Sequence, residues 1–200
     1  MKSRPIDLPI LAPASEALPP RPREALLNPQ LTRPDWLKQV PRSGCSLWLD
    51  KNENLDMHLL EVVRTVLTTI DPINICSYPE CRALYEKLGQ WVGVPANHLL
   101  LTPGSDGAIR LAFEAFTSPG EAVVHTVPTF AMYPVYSMMF GVKSQPLVYR
   151  RSELGPELKV EEILDCIETS RPRLVCLPNP DSPTGHVFSQ ENLRQVLSVC

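Results

Sequence analysis

The sequence predicts an α/β protein: a mostly parallel sheet with helices on both faces. Three observations carry this. From residue 98 onward, short apolar runs alternate with amphipathic stretches of helical period. The apolar runs give way to polar loops or turns punctuated by Pro and Gly. An apolar fraction of 44% over 200 residues suffices for a core of domain size.

Residues 1–43 stand apart. Nine of the 22 prolines fall in Met1–Pro41 and no hydrophobic period is visible there, so an extended or partly disordered arm is expected. Residues 44–97 are expected to form a helical segment. Leu47-Trp48-Leu49 opens it, and a polar turn follows through Asp50-Lys51-Asn52-Glu53-Asn54. Asp56 can then cap a helix carrying Leu59, Leu60, Val63, Val66, Leu67 and Ile70 at helical spacing. Asp71-Pro72 reads as its stop. A second helix carries Leu84, Leu88 and Trp91, and Gly93 with Pro95 ends it.

Residues 98–200 hold the alternation. Strands are expected at His98–Thr102, Ala122–Val127, Lys143–Tyr149 and Arg173–Leu177. Helices are expected at Ser105–Phe116, Ala131–Phe140, Val160–Thr169 and Ser189–Val199. Ile109, Ala112, Phe113 and Phe116 share one face of the first, and Pro134 falls in the first turn of the second, where it is tolerated. Such connections are right-handed crossovers between parallel strands. The last helix reaches Cys200 without a stop signal, so the chain is expected to be the first part of a longer protein.

Composition excludes several function classes. The net charge is −3 and there is no Lys/Arg run, which argues against a nucleic-acid footprint. No apolar run approaches the roughly 18 residues a membrane span needs. Pro9 and Pro13 interrupt the N-terminal Leu and Ile residues, so a signal peptide is not expected. The six cysteines (Cys45, Cys76, Cys81, Cys166, Cys176 and Cys200) show no metal-ligand spacing, and a cytoplasmic location is expected.

In a parallel sheet, ligands bind at the carboxyl ends of the strands. Three loops there carry unusual residues. Pro103-Gly104-Ser105-Asp106-Gly107 opens directly into a helix, and its small residues let backbone N–H groups approach an anion at the positive helix end. The alternative is that Ser105 or Asp106 only caps that helix. Pro128-Thr129-Phe130 sets an aromatic ring at the same edge, either over a planar ligand or in the core. Asn179-Pro180-Asp181-Ser182-Pro183-Thr184-Gly185 is a stiff polar loop, either part of a site or a surface turn. Together they describe a place for a flat, phosphorylated aromatic cofactor. His125, inside a strand, reads as a hydrogen-bonded core residue. His186 is a weaker site candidate, and Lys51 reads as a surface residue.

The series Leu49-Asp50-Lys51-Asn52-Glu53-Asn54, Tyr78-Pro79-Glu80, Gly104-Ser105-Asp106, Pro128-Thr129-Phe130 with Tyr133, and Asn179 to Gly185 resembles the pyridoxal-phosphate-dependent aminotransferases of fold type I. It is most like their histidinol-phosphate aminotransferase branch, over about residues 45–200 and with the motifs in the family's order. The resemblance implies that residues 98–200 are part of the cofactor-binding large domain. It implies pyridoxal 5'-phosphate as cofactor and amino transfer between an amino acid or amino-phosphate donor and a 2-oxo acid. A decarboxylase or other lyase of the same fold, or a non-catalytic scaffold, are the alternatives. Ser105 and Asp106 would give backbone amides to the cofactor phosphate, Phe130 would stack on the ring, and Tyr78 would reach the phosphate of a neighbouring subunit's cofactor in a homodimer. Ser182 stands where the family usually has Asn, near the ring's phenolic oxygen, and offers a shorter donor. The family's Schiff-base lysine lies beyond the Pro-Thr-Gly loop. None of Lys2, Lys38, Lys51, Lys87, Lys143 and Lys159 takes its place, so residues 1–200 alone are expected to be inactive.

Overall fold

A computed structural model describes residues 21–31 and 54–200. Most of the Pro-rich arm, the Leu47-Trp48-Leu49 start and Lys51 lie outside the described residues. The chain divides into two compact units, Arg33–Pro103 and the combination of Met1–Thr32 with Gly104–Cys200.

The Arg33–Pro103 unit is helical in its described part. Helix α1 spans Met57–Thr69, and the Asp56 carboxylate caps it by accepting from the His58 N–H at 2.7 Å. Asp71-Pro72 does more than stop α1. The Asp71 side chain accepts from the Ile73 N–H at 2.9 Å, and Pro72 takes the first position of a five-residue helix, α2, Pro72–Cys76. Proline suits that position because its missing N–H would have no helical partner there. Helix α3, Arg82–Val92, ends on Gly93 in the left-handed conformation at φ 76°.

One expectation fails in this unit. His98–Thr102 is not a strand: Ala96–His98 is a 3-10 turn, and the residues after it pair with no strand among those described. The Leu101 N–H is instead taken by the Tyr85 hydroxyl at 3.1 Å. A side chain thus satisfies the donor that a sheet neighbour would have used.

The second unit is built on three parallel strands in the order β2-β1-β5. They are β1 Ala122–Val127, β2 Lys143–Val148 and β5 Leu174–Cys176. Ala122 pairs with Lys143 and Val123 with Leu174, which makes β1 the central strand. Its interior positions are all buried, as a parallel strand covered on both faces requires. Helices α4 Gly104–Phe116 and α5 Met132–Phe140 enclose one core with Val123, through Phe113, Tyr133 and Tyr136. Helices α6 Val160–Ser170 and α7 Gln190–Val199 enclose the other with Val124, through Ile163, Ile167 and Val196. Val123 and Val124 point to opposite faces, as alternate residues of a strand must.

A small antiparallel hairpin, β3 Arg150–Ser152 and β4 Gly155–Glu157, sits between β2 and α6. The sequence does not announce it, because three-residue strands are too short to show a period. Gly155 has φ 111°, and the Ser152 hydroxyl donates to its carbonyl at 2.8 Å. Of the N-terminal arm, Glu24–Leu27 forms a 3-10 turn, and the Arg23 guanidinium lies 5.8 Å from the Phe140 ring centroid on α5.

Candidate functional site

The loops after β1 and β5 leave the sheet at one edge because the strands run parallel. Helix α4 starts on Gly104 at φ 74°, a conformation that favours glycine, and nothing lies within 4 Å of where a Cβ would stand. Ser105, Asp106 and Gly107 form its first turn, whose amides have no carbonyl behind them in the helix. Ser105 is exposed. The Asp106 carboxylate is turned toward α5, where it accepts a hydrogen bond from the Tyr136 hydroxyl at 2.9 Å.

The chain after β1 turns through Pro128-Thr129-Phe130 into α5. Thr126 donates to the Thr129 hydroxyl at 3.1 Å, which closes this turn. Phe130 is 36% exposed and meets Tyr133 edge to face, with ring centroids 6.1 Å apart at 84°. Its ring therefore has an open side at this edge. The Tyr133 phenol is pushed up to about 12, by burial first and then by the nearby Cys176 and Asp181.

The loop after β5 is braced at its base. Asn179 accepts from the Phe188 N–H at 2.9 Å and donates to the Phe188 carbonyl at 3.3 Å. The Asp181 N–H donates to the His186 carbonyl at 2.8 Å, and the Gly185 N–H to the Asp181 carbonyl at 2.7 Å. Ser182 and Pro183 are exposed at its outer bend, while Asp181 is buried at 3% exposure. Both Asp181 carboxylate oxygens and the Tyr149 hydroxyl are buried without a partner at hydrogen-bond geometry. They nonetheless face one another: burial, then Asp181, raises the Tyr149 pKa above the ordinary phenol value, and Thr184 opposes this.

Phe130 and Ser182 thus lie on the loops after β1 and β5, while Ser105 and Asp106 open α4 in the same unit, joined to α5 by the Asp106–Tyr136 bond; no strand precedes α4 among the described residues, contrary to the expected His98–Thr102 strand. Tyr78 belongs to the other unit, between α2 and α3, and its side chain is almost fully exposed. His186 turns away from the loop's outer bend. Its Nδ1 lies 3.1 Å from the Pro156 carbonyl, and its ring packs on Phe188 and Tyr149. His125 is a core residue: Nδ1 donates to the Thr126 carbonyl at 2.9 Å, which leaves Nε2 to accept from the Ser144 hydroxyl at 2.6 Å. Tyr136, Tyr149 and the Asn179 brace escaped the sequence reading. Tyr136 follows Tyr133 by one helical turn, the one pattern that could have raised it. No group of His, Cys, Asp or Glu among the described residues is suited to a metal ion.

Residues 46–200 match the family model for aminotransferase class I and II. The chain belongs to the class I and II aminotransferase family. Histidinol-phosphate aminotransferase of Thermoanaerobacter sp. (strain X514) is 31% identical over 151 residues, covering 74% of this chain and 42% of that protein. The enzyme of the same name from Pectobacterium carotovorum subsp. carotovorum (strain PC1) is 30% identical over 156 residues, covering 76% and 40%. The chain thus spans about two fifths of the length of the curated relatives it matches.

Solved structures agree on the fold of this aminotransferase-family chain. Histidinol-phosphate aminotransferase from Sinorhizobium meliloti in complex with pyridoxal-5'-phosphate superimposes with a TM-score of 0.55 at 19% identity, covering 70% of this chain and 36% of that one. Cystalysin from Treponema denticola, which contains a pyridoxal 5'-phosphate cofactor, gives 0.59 at 16%, covering 72% and 37%. The α/β class and the parallel sheet read from the sequence are those of these structures.

Proposed function

We propose that this protein acts as a pyridoxal-phosphate-dependent aminotransferase, moving an amino group from an amino acid or amino-phosphate donor to a 2-oxo acid. The observation that carries this reading is an aminotransferase-family chain whose loops after β1 and β5 expose a half-open Phe130 ring and the Ser182 hydroxyl, with the glycine-opened start of α4 bonded to α5 in the same unit. These residues fit the cofactor. The open space over Gly104 and the first-turn amides of Ser105, Asp106 and Gly107 suit a phosphate, assisted by the Ser105 hydroxyl. Phe130 offers its free face to a pyridine ring, and Ser182 a donor to the ring's phenolic oxygen.

When bound, pyridoxal phosphate supplies an aldehyde that captures amines and a ring that withdraws electrons from the captured substrate. The chain's part is to anchor the phosphate, flank the ring and hold a hydrogen bond at its oxygen. Lys143 opens β2 at the opposite end of the sheet, and Lys159 is an exposed residue at the start of α6, so neither serves as the amine-capturing lysine of this reading. Tyr78 would join the cofactor phosphate of a second copy, making the working protein a homodimer. A cytoplasmic setting is part of the same reading; no helix among the described residues is long and apolar enough to cross a membrane.

Equilibrium dialysis against pyridoxal phosphate tests the proposal. Saturable binding is expected, weakened roughly tenfold by Phe130→Ala and several-fold by Ser105→Ala. Absence of saturable binding to the wild-type protein sinks it. Where binding holds, amino transfer dependent on a 2-oxo acid separates this reading from decarboxylation, which releases carbon dioxide instead.

A further inference from the structure

The first turn of α4 carries an internal conflict. A carboxylate three residues into a helix is drawn to the positive helix end, and it can fold back onto the very amides that an anionic ligand needs. Asp106 is such a residue, the third of α4. Its carboxylate is turned aside instead, held through Oδ1 by the Tyr136 hydroxyl at 2.9 Å. Tyr136 is a firm anchor. It is 5% exposed and its ring is wedged between Phe113 and Phe140, with centroids 5.9 Å and 6.4 Å away. The two partners are 30 residues apart and sit on helices packed against each other on the same face of the sheet.

We propose that Tyr136 is a positioning residue: by holding the Asp106 carboxylate against α5, it keeps the first-turn amides of α4 open to a phosphate group. This rests on the cofactor reading above and extends it to a residue that need not touch the ligand. Asp106 then contributes its backbone N–H, and its side chain is a competitor that Tyr136 restrains. Removing the phenol oxygen frees the carboxylate to occupy the amides and to repel the phosphate. Removing the carboxylate as well removes the need for restraint.

The test compares binding of pyridoxal phosphate and of pyridoxal, which lacks the phosphate, to the wild-type protein, Tyr136→Phe, Asp106→Ala and the double variant. Tyr136→Phe should weaken pyridoxal phosphate about tenfold, the effect of one hydrogen bond to a charged group, and leave pyridoxal within about twofold. Adding Asp106→Ala should restore phosphate-ligand affinity to within about twofold of wild type. A merely structural role for Tyr136 would weaken both ligands alike and would not be rescued by Asp106→Ala; either result overturns the proposal. Should Tyr136→Phe fail to fold, Asp106→Ala alone decides: wild-type affinity supports the proposal, and a tenfold loss of pyridoxal phosphate binding overturns it. Wild-type protein that binds neither ligand overturns the cofactor reading itself. Wild-type binding with an unrescued Tyr136→Phe overturns only the assignment of Tyr136.

Discussion

Helices α1 and α6 carry the same kind of sequence and end in opposite surroundings. In α1, Leu59, Leu60, Val63, Val66 and Leu67 repeat at helical spacing, and every one is exposed. In α6, Ile163 and Ile167 repeat at the same spacing and are buried against the sheet, Ile163 completely. The period of a sequence settles that a helix forms and which side is apolar. It does not supply the surface that covers that side. Strands β1, β2 and β5 do so for α6, with Val124 and Leu147 in the same cluster.

Substitution should expose this difference most strongly at Ile163. Ile163→Ala leaves a void in a closed core, and denaturant unfolding should show a loss of about 2–5 kcal/mol. The counterpart Val63→Ala in α1 should cost under about 1 kcal/mol. Equal losses would mean that the two helices are equally covered and that the contrast is wrong.

Gly89 sharpens the contrast from the other side. It is the one buried residue of α3, beside the half-buried Tyr85 and Leu88, and a Cβ there would stand 2.7 Å from the Val94 carbonyl oxygen and 3.3 Å from the Ala96 nitrogen. Both obstacles are backbone, in the corner of residues 93–96. Alanine ordinarily favours a helix interior, yet Gly89→Ala should lower stability by about 1–3 kcal/mol. A gain in the unfolding midpoint would show that this corner is not fixed.

A further effect falls on the alkaline limb of stability. Cys76 and Cys81 are exposed, whereas Cys176 is buried in the sheet, where burial raises its thiol from 9.0 to about 12. The folded state keeps a proton that the unfolded chain gives up above pH 9. This contribution is therefore complete below pH 9 and is lost as the pH rises toward about 12. Its slope is up to about 1.4 kcal/mol per pH unit, and Cys176→Ala should flatten it. A slope insensitive to Cys176 would place that thiol in contact with solvent.

Much of this fold was legible in the sequence because its signals are local. The helices α3 to α7 follow from period, capping residues and glycine stops. Central β1 follows from an apolar run bounded by Pro119-Gly120 and Pro128. Leu99 to Leu101 look like a strand on the same grounds, but a strand is completed by a neighbour, and Tyr85 took the Leu101 amide first. Phe130 and Ser182 were legible through a rule of topology, that parallel strands present their following loops at one edge; for Ser105 the same rule leaned on a His98–Thr102 strand that does not form. The pairing of Asp106 with Tyr136 and the facing of Asp181 and Tyr149 were not legible. Each joins residues about 30 apart, and no local pattern links them.

The Asn179 brace has a mechanical consequence. Its side chain binds both backbone groups of Phe188, and the Asp181–His186 bond forms a second rung inside it, so the eight residues between Asn179 and Phe188 make a closed ring of fixed circumference. Ser189, which caps α7, follows that ring directly. Helix and ring are therefore geared together. A tilt of α7 is thereby passed to the ring that carries Ser182.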